Sequence, residues 1–263
     1  MKSPTQLPVS VCLIAGNEAH RITPTLKSVA DWAGEIIVVI NHDVQDGTDK
    51  IAESFGAQVF REPWKGFIAQ NQSAADKATG DWLLAIDADE VVSPGLAAEI
   101  QGLFSQPGKP DGYDAYEFPR CTLYYDRWIR HGDWYPDRKL RLWRRGQGRW
   151  GGEQTHAKFI VNGKIGRLNG ELLHYSMESI EHQIQKTIRY ADEFVDTCRS
   201  ENRRITFGHL LLRPPWRFVR GYVFKLGFLD GWRGLSIAWM TAFYTFLRYF
   251  KAFEAQHHPP QAG

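Results

Sequence analysis

The 263-residue chain reads as an α/β protein with a mostly parallel central sheet and flanking helices, followed by amphipathic helices at its C-terminus. Three observations predict this. The first hundred residues alternate apolar runs with capped helical patterns, and the runs recur about every 20 to 25 residues, the spacing of βαβ units. Those runs are apolar throughout rather than alternating, as strands covered on both faces are. Beyond residue 179 strand signals stop and three long helical patterns follow.

In chain order, Val9–Ala15 is a β-branched apolar run and the first strand. Thr23 and Pro24 supply a cap and a first-turn proline for a helix over 25–32. Residues 35–40 form a second buried strand, Asp46-Gly47-Thr48 opens a helix ending near Gly56, and 58–61 is a short strand. A helix over 67–79 is closed by Gly80, 82–86 is a strand ending in acid, and Ser93-Pro94 caps a helix reaching about Phe104. After a Pro/Gly break at 106–112, strands are expected at 113–119, 139–143, 156–161 and 171–175, between Gly-rich turns. Helices are expected at 180–199, 214–228 and 231–253, and only 257–263 reads as disordered.

Composition narrows the class further. With 43% hydrophobic and 24% charged residues, a disordered or collagen-like chain is excluded, and the length suffices for a core without staples. Cys12, Cys121 and Cys198 are too few and too scattered for a disulfide framework or a zinc site, so a reducing compartment is expected. Residues 1–8 hold no apolar run of signal-peptide length. The longest nearly uncharged apolar stretch, 234–247, falls short of the roughly 20 residues that span a bilayer. The net charge of +2 hides an asymmetry: 120–150 holds nine Lys/Arg against three Asp/Glu, and 199–251 holds ten against two, which leaves −12 elsewhere. Two basic, aromatic-rich segments on an acidic body point to an anionic partner.

The sharpest chemical signal is Asp87-Ala88-Asp89-Glu90 at the carboxyl end of a predicted parallel strand, where open α/β sheets bind ligands. Carboxylates spaced i, i+2 across a tight turn can share a hard divalent cation and leave positions for phosphate oxygens. Asn17-Glu18 and the run from Asn41 to Thr48 follow the first two strands, on the same sheet edge, where they can meet a base and a ribose. For Asp46 and Thr48, ordinary capping of the next helix is an equal alternative. No Gly-x-Gly-x-x-Gly and no P-loop is present.

The run Val9-Ser10-Val11-Cys12-Leu13-Ile14, Asn17-Glu18, Glu35-Ile36-Ile37-Val38-Val39, Asp46-Gly47-Thr48, Ala78-Thr79-Gly80-Asp81-Trp82 and Asp87-Ala88-Asp89-Glu90 resembles the family 2 glycosyltransferases. Later elements resemble its subgroup of lipopolysaccharide inner-core β-glucosyltransferases: Arg127-Trp128-Ile129-Arg130-His131-Gly132, Trp134-Tyr135-Pro136-Asp137, Leu172-Leu173-His174-Tyr175 and Gly227-Phe228-Leu229-Asp230-Gly231. The resemblance covers about residues 8–252. It implies a GT-A fold, a nucleotide-sugar donor, a divalent cation (Mg2+ or Mn2+) and inversion at the anomeric carbon. By position it implies that Asp87 and Asp89 handle the ribose and the metal-bound diphosphate, Asp89 as metal ligand, and that Asn17, Glu18 and Asp46 line the nucleotide site. It also implies a catalytic domain over 1–199, with a nucleotide-sugar half at 8–105 and an acceptor half at 113–176, and a helical appendage over 200–256. Two positions depart from the pattern. Asn41 stands where a base-contacting Asp is expected, in a segment one residue longer, and Ala157 follows Thr155-His156 where Glu is usual.

Inversion by direct displacement needs a base for the acceptor hydroxyl and stabilisation of the leaving diphosphate. Asp137 is the first candidate base, then Glu153 and Asp133. An aromatic-flanked loop suits a carboxylate of raised pKa, and an ion pair of Asp137 with Arg138 or Arg141 is an equal alternative. Those two arginines are also candidates for a bidentate grip on phosphate. His174 and His156 are candidates for a metal ligand or diphosphate contact, against a structural role. The basic aromatic loop 127–150 fits a sugar with anionic groups; no RNA-recognition motif accompanies it, so no nucleic-acid partner is expected.

In the C-terminal helices aromatic residues such as Trp216 and Trp239 mix with Arg213, Arg217, Arg220, Lys225 and Arg233. That mixture fits helices lying on an anionic membrane surface, or else a hairpin buried on the catalytic domain or at a dimer interface. The expected protein is thus a metal-dependent inverting hexosyltransferase taking glucose from UDP-glucose to a lipid-linked glycan such as lipopolysaccharide core. It would work in the cytoplasm, peripherally on the inner face of the bacterial inner membrane. Two other classes stay open: a nucleotidyltransferase on a similar sheet, which lacks support in a Gly-rich phosphate loop, and a non-catalytic membrane-associated glycan-binding protein, which Ala157 favours and Asp87 with Asp89 oppose.

Overall fold

A computed structural model of the chain describes residues 6–105, 110, 112–153, 156–176 and 179–258, the side chains of Glu153, His156 and Ala157 excepted. In chain order the elements are β1 (Val9–Ala15), α1 (Ile22–Lys27), β2 (Glu35–Asn41), α2 (Thr48–Ser54), β3 (Gln58–Glu62), α3 (Phe67–Lys77), β4 (Trp82–Ala85), β5 (Glu90–Val92) and α4 (Pro94–Leu103). Then come β6 (Ala115–Tyr124), β7 (Arg127–Trp128), β8 (Asp137–Arg144), β9 (Gly148–Glu153), β10 (His156–Val161), β11 (Ile165–Arg167), β12 (Leu172–His174), α5 (Ile180–Ser200), α6 (Phe207–Val219) and α7 (Trp232–His257). The chain forms two compact units, Met1–Arg120 with Asp137–Tyr175, and Cys121–Pro136 with Ser176–Gly263.

The first unit is a mixed sheet in the order β3-β2-β1-β4-β8-β6-β12-β5. Strands β1 to β4 are parallel, and β8 enters antiparallel to both β4 and β6. The unbroken apolar strands follow from burial on both faces, since successive side chains point opposite ways. Val11, Leu13, Val38, Ile40 and Leu84 pack with Ile22 and Leu26 of α1 and Leu96 and Ile100 of α4. Cys12, Ile37, Val39, Leu83 and Ala85 pack on the other face with Ala74 and Ala75 of α3 and with Trp143, Trp150 and Phe159. The β9–β10 hairpin places Phe159 beside Trp150, and Phe159 stacks on Trp143 at 3.9 Å.

The second unit is helical. Val195, Cys198, Ile205, Leu210, Tyr249 and Ala252 join α5, α6 and α7 in one core, and Tyr124, Ile129 and Ile237 form another. The three cysteines, Cys12, Cys121 and Cys198, are all buried. No helix among the described residues is long and apolar enough to cross a membrane.

Several boundaries differ from expectation. Helix α1 begins at Ile22, so Pro24 sits inside its first turn, where a missing N–H costs nothing. The helix expected over 214–228 begins at Phe207 and carries Pro214 and Pro215 inside it. Its cap is Thr206, whose backbone N–H donates to His209 Nδ1 at 3.0 Å; a histidine in place of Glu or Gln hides that box from a sequence pattern. Past Val219 the chain turns through a π-helical segment (Arg220–Phe224) and a 3-10 turn (Gly227–Asp230). Short strands β5, β7, β9 and β11 were not expected, and β6 runs to Tyr124 rather than 119. Helix α7 extends to His257, and of the tail expected to be disordered, residues 259–263 lie outside the described residues.

Gly234 shows how closely the helical unit is packed, because a Cβ there would lie 1.8 Å from the Gly227 carbonyl oxygen. Relief requires backbone movement. Gly234→Ala is expected to destabilise the protein by about 2 kcal/mol or more, read as a lower urea midpoint; an unchanged midpoint contradicts this packing.

Candidate active site

The register of the parallel strands, Ala15 beside Ile40 and Cys12 beside Ala85, brings the carboxyl ends of β1, β2 and β4 to one sheet edge. Asn17 and Glu18, the run from Asn41 to Thr48, and the acidic turn at 87–90 all lie on that edge, the ligand edge of open α/β sheets. The turn closes with the Glu90 N–H on the Asp87 carbonyl at 3.0 Å, and Glu90 Oε2 accepts the Asp87 N–H at 2.9 Å.

Glu90 is fully buried, so its charge needs partners. Glu90 Oε1 lies 3.3 Å from Arg120 Nη1 and 3.5 Å from Arg141 Nη2. Arg141 Nη2 also donates to Asp87 Oδ2 at 2.8 Å. Arg120 donates to Asp137 Oδ2 from Nε at 3.0 Å and Nη2 at 2.7 Å, and Lys139 Nζ sits 3.0 Å from Asp137 Oδ1. Register explains the grouping: Arg120 of β6 faces Asp137 of β8, and 137, 139 and 141 alternate along one face of β8. Asp87, Arg141, Glu90, Arg120 and Asp137 therefore form one chain of alternating charge.

Asp89, two residues beyond Asp87, has different partners. Its Oδ2 lies 3.5 Å from His174 Nε2 and 3.8 Å from Arg21 Nη1, and Arg21 also pairs with Glu18. His174 arrives there because β12 runs antiparallel to β5 with His174 beside Glu90. Burial pushes the Asp89 carboxyl up, but the bond to His174, its charge and that of Arg21 together bring it down to about 2. Asp89 is thus a mostly buried carboxylate that stays ionised.

Asp46 is committed to backbone. Its Oδ1 accepts from the Thr48 N–H at 3.0 Å and the Thr48 hydroxyl at 2.6 Å, its Oδ2 accepts from the Ala19 N–H at 2.9 Å, and Thr48 Oγ1 accepts the Glu18 N–H at 2.9 Å. Desolvation opposes ionisation, yet these bonds hold the Asp46 carboxyl below its ordinary value. The N-cap of α2 is Gly47, without a side-chain cap bond, and the Asp46–Thr48 clip ties the loop after β1 to the loop after β2. Asn17 is exposed and Asn41 half-buried at the end of β2.

The candidate bases separate. For Asp137 a raised pKa and an ion pair with Arg138 or Arg141 stood as equal alternatives. Although burial does push it up, Arg120 and Lys139 outweigh burial and hold the carboxyl below its ordinary value. Arg138 instead donates to the Leu168 carbonyl at 3.1 Å, and Arg141 is turned to Asp87 and Glu90 rather than outward for phosphate. Asp133 belongs to the helical unit. Its side chain is 3% exposed and lies 3.1 Å from Arg217 Nε, 3.2 Å from Arg220 Nη2 and 3.1 Å from Lys225 Nζ, a buried ion-pair hub. Glu153 and His156 are register partners across the β9–β10 hairpin, and their side chains lie outside the described residues.

Sequence reasoning missed Glu90 as an anchor, and Arg120 and Arg21 as partners. Arg120 had a signal, a charge between Phe118 and Cys121 in an apolar strand; Arg21 had none. Among the described residues no three or more His, Cys, Asp or Glu gather to hold a metal alone. Asp89 with His174 fits a cation of the kind that protein holds by one or two side chains and substrate phosphates complete.

Residues 10–160 match the family model described as glycosyl transferase family 2. An uncharacterized glycosyltransferase of Rickettsia prowazekii is 31% identical over 92% of this chain and 86% of its own length. The lipopolysaccharide core biosynthesis glycosyltransferase LpsC of Rhizobium meliloti is 29% identical over 90% of this chain and 91% of its own. Among solved structures, a mannosyltransferase from Pyrobaculum calidifontis in complex with GDP-Man and Mn2+ has a TM-score of 0.53 at 14% identity, covering 97% of this chain and 88% of that one. TarS 1-349 of S. aureus in complex with UDP-GlcNAc has a TM-score of 0.50 at 13% identity, covering 95% and 92%. The fold is GT-A, a mixed α/β sheet with helices at the C-terminus.

The Asp89 environment makes a direct prediction. A depressed carboxyl stabilises the fold above its unfolded value of 3.8, and that contribution is lost as pH falls toward about 2. His174→Gln removes the main opposing influence to burial, so the Asp89 pKa is expected to rise, measured by carbon-13 NMR titration of the side-chain carboxyls. A value still at about 2 in the variant contradicts the assignment.

Proposed function

The chain belongs to the family 2 glycosyltransferases, and from that premise we propose that it is an inverting, metal-dependent hexosyltransferase that moves glucose from UDP-glucose to a lipid-linked glycan of the lipopolysaccharide-core kind. The observation that carries the proposal is the split acidic turn: Asp87 is paired with Arg141, while Asp89 points to His174 and Arg21. The name of the Rhizobium relative supports the acceptor class. Two proteins of the same fold are solved with nucleotide sugars, one with Mn2+ as well, which supports the donor and cation classes.

In this reading Asp89 and His174 hold the divalent cation, which when bound supplies positive charge to the leaving diphosphate. Asn17, Glu18, Asn41 and Asp87 line the nucleoside, with Arg141 and Glu90 keeping Asp87 in place. Asp137 or Glu153 takes the proton from the acceptor hydroxyl as the new C–O bond forms and the bond from the anomeric carbon to the diphosphate breaks. A lipid-linked acceptor puts the work at a membrane, so the protein acts peripherally at the inner face of the inner membrane, with residues 200–256 as the membrane-associating part.

UDP release from UDP-glucose, with Mg2+ or Mn2+ and core-oligosaccharide acceptors, tests this. Asp89→Asn is expected to lower turnover on the order of a hundredfold or more; undiminished turnover contradicts the cation site, and release from GDP-sugars alone contradicts the donor. The pH–rate profile separates the bases. A base works deprotonated, so an Asp137 base, lowered from 3.8, keeps the rate level until pH falls below that value; an acid limb setting in higher excludes Asp137.

A further inference from the structure

We infer that the helical unit docks flat on an anionic bilayer through two neighbouring apolar stripes, one on α6 and one on α7, with a prearranged basic cluster beside them. The inference rests on the membrane-facing reading above and names the surface and the lipid class.

On α6 the exposed residues Phe207, Leu211, Leu212, Trp216 and Val219 recur at helical spacing, and Leu212 is 71% exposed. On α7 the exposed residues Trp232, Leu235, Trp239, Phe243, Phe246 and Phe250 recur three and four apart, a second stripe running most of the helix length. Phe218 links them, its ring 5.0 Å from that of Trp239, and Trp216 meets Phe224 at 5.8 Å. The opposite side of α7 is already satisfied, since Ile237, Ala238, Ala242, Thr245 and Tyr249 are buried. A helix apolar all round needs cover on both sides. Apolar patches of this extent mark partner or membrane surfaces.

Charge selects the partner. Residues 203–251 hold nine Lys/Arg and one acid, Asp230, which is buried. A second copy would bring two strongly cationic faces together, whereas an anionic leaflet complements them. The Asp133 hub completes the match. One buried carboxylate orders Arg217, Arg220 and Lys225, whose side chains remain 36–39% exposed, so three cations are held in place with a surplus charge of two. Arg217 and Arg220 lie one and four residues beyond Trp216, and Lys225 adjoins Phe224. The helices lie on the surface rather than across it, because none is apolar enough to span.

The test is sedimentation of the full chain with vesicles of phosphatidylethanolamine and phosphatidylglycerol, or of phosphatidylcholine alone. Binding is expected to the anionic vesicles, roughly tenfold weaker to neutral ones and weakened by added salt. Leu212→Glu and the double variant Trp216→Glu/Trp239→Glu change exposed positions; both should keep the wild-type circular dichroism and UDP affinity while vesicle binding drops roughly tenfold or more. Wild-type binding by both variants overturns the inference, as does absence of binding by the wild type. A lipid-free dimer that the same variants dissociate assigns the face to a second copy and also overturns it. UDP calorimetry separates the two readings: vesicle binding without UDP binding removes the proposed reaction and leaves the docking face, and the converse removes only the docking face.

Discussion

Glu90 has no solvent access, and the geometry of the acidic turn follows from the need to neutralise it. Its two oxygens are spent on the Asp87 N–H, which tightens the turn, and on Arg120 and Arg141, which arrive from β6 and β8. Because Arg141 is held there, Asp87 is paired; because Arg120 is held there, Asp137 is paired. A single buried carboxylate thereby decides which acids along the sheet edge are neutralised inside the protein. Asp89 escapes that network by pointing the other way, toward His174 and Arg21.

Much of the sheet was legible from sequence for a physical reason. Strands β1, β2 and β4 are covered on both faces, so their apolar runs stand out between turn residues, and each is followed by the polar segment that the parallel register brings to the same edge. The acidic turn was legible as a motif, and so was its position. Its wiring was not. Arg120 and Arg141 lie 30 and 51 residues from Glu90, and nothing local in either strand announces the partner. His174 was legible only as a candidate, because its place beside the turn depends on β12 pairing with β5, two three-residue strands.

The helical unit was misread where local chemistry has two uses. A Pro-Pro pair ordinarily starts a helix; at 214–215 it sits inside one, begun about two turns earlier by the Thr206–His209 cap. Asp133, in an aromatic loop, has the look of a catalytic base, and it is the centre of three cations from the turn after α6 and from α6 itself. In both cases the deciding partner is remote or unusual. The charge asymmetry, by contrast, needed no partner to be seen, and it maps onto a unit whose sole acid between residues 203 and 251 is buried.

In the proposed function Arg141, held by Glu90, is the partner of Asp87, and Asp89 is the carboxylate for a divalent cation. Electron paramagnetic resonance titration of Mn2+ with UDP at saturation measures it directly in the wild type, Asp87→Asn and Asp89→Asn. Asp89→Asn is expected to weaken Mn2+ binding by roughly tenfold or more, and Asp87→Asn to leave it within about threefold. The opposite ranking, with Asp87 the stronger determinant, would contradict it.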